Sequence, residues 1–107
     1  MKREEFTKIL DVIADAARNK RTVRIYYSKT ENNPAGWREV EPYSFATDPG
    51  EEGEHVFYGK EAITPGHIFN GYLVGSEKRH CNSFILGKIK KARQGNYIFK
   101  PRWKIEI

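Results

Sequence analysis

The sequence predicts an α+β fold, mainly β, in which one amphipathic helix precedes five or six short strands of a small barrel or strongly bent sheet. Three observations indicate it. Apolar residues near the N-terminus recur at helical spacing, the period changes to two at residue 21, and turn-rich segments separate the strand-like stretches. With 107 residues, the chain is expected to form a single domain over residues 1–107.

The helix is predicted over about residues 4–18. Its charges complement the helix dipole, with Glu4 and Glu5 in the first turn and Arg18 and Lys20 near the last. Its apolar side chains fall on one face, the pattern of a helix that covers a core. They are Phe6, Ile9, Leu10, Ile13, Ala14 and Ala17.

The barrel is predicted over about residues 21–107. In the first strand, Val23 and Ile25 point one way with Tyr27, while Arg24 and Tyr26 point the other. Loops are expected at 29–36 and 48–54. Further strands are expected at 38–45, 55–60, 68–75, 83–91 and 97–107.

The last two predicted strands carry the basic residues. Alternation places Lys88 and Lys90 beside Phe84 and Leu86. The final strand has an apolar face of Tyr97, Phe99, Pro101, Trp103, Ile105 and Ile107 opposite a basic row of Lys100, Arg102 and Lys104. The predicted core comprises Ile9, Ile13, Val23, Ile25, Phe84, Ile89, Phe99 and Trp103.

Pro42 interrupts the strand-like stretch REVEPYSF, residues 38–45. Proline has no N–H to donate, so within a sheet it is confined to edges, bulges and bends. We therefore predict that Pro42 bends the strand at the barrel rim. The bend is expected to leave Arg38 and Tyr43 near one end of the barrel.

The residues give no support for catalysis, a metal or a cofactor. His55, His67 and His80 have no partners at metal-ligand spacing, and Cys81 next to His80 would point to the opposite face of a strand. Phosphate-loop, nucleophile-elbow and zinc-protease motifs are absent from the sequence. The protein is therefore expected not to be an enzyme.

Charge and cysteine use bound the partners and the compartment. Lys and Arg outnumber Asp and Glu by 19 to 14, a formal net charge of +5 that favours polyanionic partners. Cys81 is the single cysteine, so an internal disulfide is excluded. Signal-peptide and membrane-spanning apolar runs are absent from the sequence. We expect a cytoplasmic protein without a membrane partner.

The order of these motifs resembles the WYL domain family. The resemblance runs from RTVRIYY through REVEPYSF and SFILGKIKKA to FKPRWKIEI, which covers most of residues 21–107. It implies an SH3-like or Sm-like barrel that binds ligands in bacterial and phage regulatory proteins. Only about 20 residues precede the predicted barrel, too few for a helix-turn-helix domain, so a stand-alone member is expected.

Two positions depart from the family pattern. The signature strand has two candidates, VFYG at 56–59 and GYLVG at 71–75, so either Gly71 replaces the signature tryptophan or residues 61–80 are an insertion. Family members often carry arginine at the positions of Asn82 and Lys88. The charge is kept at one position and lost at the other, where Arg79 or His80 is expected to substitute.

The resemblance implies a groove that binds single-stranded DNA, RNA or a nucleotide in a regulatory or phage-defence context, with affinity that weakens steeply with salt. The alternative is a protein-interaction module that binds a partner, or a second copy of itself, through a strand edge. The candidate ligand-binding residues are Arg24, Tyr26, Arg38, Tyr58, Tyr72, Arg79, His80 and Lys88.

Overall fold

The computed structural model describes residues 3–46, 56–58 and 61–107, with the side chains of 56–58, 61 and 62 outside that description. The predicted loop at 48–54 and His55 also lie outside it. The described elements are one helix, seven strands and a short 3-10 turn. They are α1 (Arg3–Arg18), β1 (Arg21–Tyr27), β2 (Gly36–Ala46), β3 (Val56–Tyr58), β4 (Glu61–Ile63), β5 (Ile68–Leu73), β6 (Asn82–Ile85), the 3-10 turn (Leu86–Lys88) and β7 (Ile89–Ile98).

Five strands form one antiparallel sheet in the order β6-β5-β2-β1-β7. The two edge strands are consecutive in the chain and joined only by the 3-10 turn, so the sheet must curl until its edges approach there. Tyr27 at the end of β1 spans this gap, since its Oη accepts a hydrogen bond from Ile85 N of β6 at 2.9 Å. The predicted helix followed by a five-stranded, mainly β fold is confirmed.

The main core lies between α1 and the inner face of the curled sheet. The helix packs against β7, β1 and β2 and buries every apolar residue predicted for its face. Seven of the eight predicted core residues are buried, the exception being Trp103. No helix in the described parts of the chain is long and apolar enough to cross a membrane. The core cluster contains Phe6, Ile9, Leu10, Ile13, Ala16, Val23, Ile25, Tyr27, Val40, Ile63, Phe69, Phe84, Leu86 and Ile89.

Pro42 lies next to a bulge, one of the positions to which proline is confined in a sheet, while the bend at a barrel rim stays a prediction. The ladder between β2 and β1 ends at the Val23–Val40 pair, so Pro42 is paired only with Gly71 of β5. The register with β5 then shifts between Pro42 and Ser44. Proline is tolerated here because the ladder on one side has already ended.

The predicted strand at 83–91 is broken by the 3-10 turn. Gly87 N donates to Pro65 O at 2.7 Å, an approach so close that a Cβ on Gly87 would meet Pro65 Cβ at 2.9 Å. This contact turns the chain between β6 and β7 and ends the alternation. Phe84 is therefore buried while Lys88 is exposed, and the prediction that they share a face is wrong.

The predicted strand at 97–107 is also wrong. Strand β7 ends at Ile98, and residues 99–107 run over the outer face of the sheet without a ladder of their own. Tyr43 holds this segment, since its O accepts from Glu106 N at 2.7 Å and its Oη accepts from Arg102 N at 3.0 Å. Trp103 rests against the Tyr43 ring at 5.2 Å and is 41% exposed, so it is not a core residue.

The two candidate signature strands have different places in the fold. Strand β5, which contains the start of GYLVG, pairs with β2 and β6 in the main sheet. Strand β3, which contains VFY, pairs with β4, a strand that the sequence did not predict.

Candidate ligand-binding site

An open pocket of about 590 Å³ lies at one end of the curled sheet, on the inner face. This volume is in the range of pockets that hold small organic ligands. Strands β1, β2, β5 and β6 line it, together with the loops that follow β1 and β5. Tyr27, Leu73 and Phe84 provide its apolar part, and Arg38, Lys78 and His80 provide the basic groups.

Arg38 reaches the pocket because of its place in β2. It pairs with Ile25 of β1 and shares the inner face of the sheet with Val40. Its Nη2 donates a hydrogen bond to Pro34 O at 2.8 Å, which holds the guanidinium at the pocket wall. The pocket lining contains no Asp or Glu among the described residues, so the charge around Arg38 is positive.

The apolar part of the pocket is fixed by contacts with the core. The Tyr27 and Phe84 rings meet edge to face, with centroids 5.2 Å apart. Beside them lies Cys81, which is half-buried. Burial raises the pKa of the Cys81 thiol, and the negative charge of Glu41 raises it further. The thiol is therefore protonated at neutral pH and adds a small neutral surface to the pocket.

Of the predicted site residues whose side chains the structure describes, only Arg38 and His80 come together in this pocket. Lys88 is exposed on the 3-10 turn and is not part of the lining. Arg79 is exposed in the segment between β5 and β6 and lies beside a separate cleft with Trp103. The side chain of Tyr58 lies outside the described part of the chain.

Tyr72 requires a correction. It is 6% exposed, and its Oη donates to Ser76 O at 2.7 Å. The Arg102 guanidinium covers the ring at 4.3 Å from its centroid. Tyr72 therefore belongs to the second buried cluster, with Tyr43 and Phe99, and although it borders the cleft beside Arg79, Arg102 covers its ring there. Arg38 and Tyr43 were expected to lie near one end of the barrel; Arg38 lines the pocket, whereas Tyr43 lies in this second cluster.

Arg24 and Tyr26 lie on the outer face of the sheet, away from the pocket. Arg24 Nε is 4.0 Å from Glu39 Oε1, and the Tyr26 ring meets the Trp37 ring edge to face at 5.5 Å. Trp37 was not predicted as a site residue. It precedes Arg38 in β2, so strand alternation places its side chain on the outer face, beside Tyr26. Lys78 was also missed, and its turn segment has no periodic pattern that could have revealed it.

The sequence offered no support for a metal site at His55, His67 or His80, and the structure describes the last two of these residues. His67 is buried, and its Nδ1 accepts a hydrogen bond from Thr64 N at 3.1 Å. His80 is exposed at the pocket, with Nδ1 3.1 Å from Cys81 O. No group of three His, Cys, Asp or Glu residues in the described parts of the chain could hold a metal ion.

The structure is thus a small β-domain in which one helix packs on a curled antiparallel sheet and a basic pocket lies at one end of the sheet. Residues 8–50 match the family model of the WYL domain. The match covers most of α1, all of β1 and all of β2, so the resemblance to the WYL domain family seen in the sequence is confirmed over this part of the chain. No curated protein matches the sequence.

Proposed function

We propose that this chain is a non-catalytic regulatory module whose pocket binds a nucleotide or the phosphates of single-stranded nucleic acid. The observation that carries the proposal is the composition of the pocket. Arg38, Lys78 and His80 stand around an apolar and aromatic base formed by Tyr27 and Phe84, with no Asp or Glu among the described lining residues. Such a pocket favours a ligand that is anionic at one end and flat or apolar at the other.

The two cations suit different parts of an anionic ligand. The planar guanidinium of Arg38 can donate two parallel hydrogen bonds to a phosphate, and its position is already fixed by Pro34 O. Lys78 is exposed on the segment before β6 and acts as a mobile point charge. Asn82 and Ser83 line the same pocket and add neutral hydrogen-bonding groups.

The WYL family match supports the ligand-binding class of this proposal. The alternative, a protein-interaction module, is favoured by one observation. Strand β7 pairs with β1 and with no other strand in the described parts of the chain, which leaves a long sheet edge open to a partner strand. Lys90, Lys91 and Arg93 on that strand oppose this reading, because charged residues protect edges from pairing.

The test is a salt titration of binding to a fluorescent oligothymidylate, followed by anisotropy. Affinity is expected to fall as salt rises. Arg38→Gln is expected to weaken binding and to flatten the slope of log K against log salt by up to about 0.7 for one lost phosphate contact. Lys8→Gln is the matched control, since it removes the same charge from an exposed position on α1.

Two results would count against the pocket. Equal effects of Arg38→Gln and Lys8→Gln would show that only net charge matters. An absence of salt-sensitive binding to oligothymidylate and to ADP would overturn the proposal and favour the protein-interaction module.

A further inference from the structure

The outer face of β2, β1 and β7 carries a patch of aromatic and basic side chains, which we call the outer-face patch: Arg24, Tyr26, Trp37, Lys91 and Arg93. Tyr26 pairs with Trp37 on one side and with Lys91 on the other. Arg24 is the next outward residue of β1 and pairs with Arg93 of β7. The five side chains therefore form two adjacent rows across three strands.

The patch exposes an aromatic ring. Trp37 is 36% exposed, and the half-buried Tyr26 meets it edge to face at 5.5 Å with an angle of 81°. This contact holds the indole in place on the sheet. A large aromatic side chain that is fixed yet open to solvent presents a surface on which another planar group can stack.

Two guanidinium groups lie at this ring. The Cζ atoms of Arg24 and Arg93 are 5.4 Å and 5.2 Å from the Trp37 ring centroid. The two arginines are also direct cross-strand partners, and like charges placed opposite each other destabilise a sheet. The fold thus retains an unfavourable pairing of charges on an exposed face.

Glu39, which pairs with Arg24 on this face, does not neutralise the patch. Glu39 Oε2 accepts hydrogen bonds from Thr22 Oγ1 at 2.8 Å and from Asn96 N at 3.1 Å, while its other oxygen is 4.0 Å from Arg24 Nε. Arg93 has no carboxylate within 4.0 Å among the described residues. The patch therefore has a net positive charge around an exposed indole.

We propose that the outer-face patch binds single-stranded nucleic acid, with an unpaired base stacked at Trp37 and neighbouring phosphates neutralised by Arg93 and Lys91. Non-specific strand-binding surfaces combine these two features, an aromatic platform and a basic track. A base that stacks on Trp37 takes the place of one guanidinium contact, and the displaced arginine is then free to meet a phosphate or to stack on the base itself.

The position of the patch favours nucleic acid over a peptide. Strand β1 pairs with β2 on one side and β7 on the other, so its backbone cannot add a peptide strand. At the middle of the patch only side-chain faces are therefore available, which is what base stacking requires, and the open edge of β7 lies at the margin of the patch. The proposal does not rest on the pocket, because Trp37 and Arg38 are neighbours in β2 on opposite faces of the sheet.

The experiment uses the fluorescence of Trp37. The chain has two tryptophans, so Trp103→Phe leaves Trp37 as the single indole reporter. Addition of oligothymidylate is expected to quench this fluorescence in a saturable way. In this background, Arg93→Gln is expected to weaken binding and to flatten the salt slope by up to about 0.7. Lys8→Gln, at an exposed position on α1, should leave both the salt slope of the affinity and the extent of quenching at saturation unchanged.

A second variant tests stacking directly. Trp37→Leu is expected to weaken the binding of fluorescent oligothymidylate about 5- to 150-fold with little change in salt slope. Its thermal unfolding must match that of the wild type, and Arg93→Gln provides the independent variant if it does not. A lack of Trp37 quenching would overturn the proposal even if the labelled strand binds. Quenching by polyglutamate but not by oligothymidylate would overturn it in favour of an acidic peptide.

Discussion

Arg102 and Glu41 form an ion pair across the outer face, with Arg102 Nε 3.4 Å from Glu41 Oε1. The Glu41 side chain is almost fully buried, and the same oxygen accepts a hydrogen bond from Tyr43 Oη at 2.7 Å. The Arg102 guanidinium also covers the ring of Tyr72. The C-terminal segment is therefore held to the sheet by one arginine that satisfies a buried carboxylate and packs on a buried ring.

We expect Arg102→Gln to lower the free energy of unfolding by about 1 kcal/mol. The gain from the pair is limited because the arginine is half exposed to solvent. Urea denaturation measures the change. Lys104→Gln, at an exposed position in the same segment, should stay within about 0.5 kcal/mol of the wild type. Equal losses in both variants would mean that Arg102 has no specific role.

Tyr43 is expected to make the fold sensitive to alkaline pH. Burial is the largest cause that raises its pKa far above the ordinary value of 10.0; Glu41 raises it further, while the Arg102 N–H opposes the shift. The folded state thus keeps a proton that the unfolded state loses above pH about 10. The contribution of Tyr43 to stability is therefore fully present and independent of pH below that value, and it is lost as pH rises beyond it.

Urea denaturation at a series of alkaline pH values tests this expectation. Tyr43→Phe should be less stable at neutral pH by about 1 kcal/mol, because its hydrogen bonds are lost, and should show a shallower alkaline decline. Tyr97→Phe is the control, since Tyr97 is 58% exposed. Identical alkaline slopes in the wild type and Tyr43→Phe would contradict the expectation.

Gly71→Ala is expected to destabilise the fold by about 1 to 3 kcal/mol through overpacking. An added Cβ would collide with Val40 Cγ1 and lie 3.0 Å from Phe69 Cζ, both in the buried core. Thermal denaturation measures the loss. The loss of unfolding free energy caused by Val40→Ala should be smaller in the Gly71→Ala background than in the wild type, because the methyl group added at position 71 fills part of the space that Val40 leaves. Gly71 therefore cannot be replaced by the signature tryptophan without rearrangement of the core.

Cys81 is expected to react slowly with iodoacetamide at neutral pH. The thiolate is the reactive form, and burial raises the pKa of this thiol above its ordinary value of 9.0. The alkylation rate should therefore keep rising with pH beyond the point where that of an ordinary thiol levels off. Because Cys81 lines the pocket, bound oligothymidylate is expected to slow the reaction further. Unchanged rates in the presence of saturating oligonucleotide would argue against occupancy of the pocket.

The elements that local periodicity specifies were predictable from the sequence. The apolar face of α1 and the alternation in β1 follow directly from residue spacing, and Pro42 marked its bulge because proline cannot complete a ladder on both sides. The 3-10 turn was not predictable, since it depends on Gly87 meeting Pro65, a contact between distant parts of the chain.

The site was predictable only in part, because it also depends on contacts between distant parts of the chain. Arg38 and His80 were found because strand patterns and the family resemblance pointed to them, and both reach the pocket. Tyr72 was misread because the residue that covers its ring, Arg102, comes from a segment whose alternating pattern imitates a strand. The position of Trp37 on the outer face could have been predicted, because Trp37 precedes Arg38 in β2 and successive side chains of a strand point to opposite faces.

The arrangement of the sheet sets the order in which the protein can fold during translation. Strand β1 pairs with β2, which follows it after a short loop. Its other partner, β7, lies far along the chain, and Arg21 of β1 pairs with Ile98 of β7. A ribosome that adds about 5 to 20 residues per second needs roughly 4 to 14 s to make the residues between β1 and the end of β7. Throughout this interval the nascent helix lacks one of the strands that cover it, so we expect the unfinished chain to expose the apolar surface that chaperones recognise.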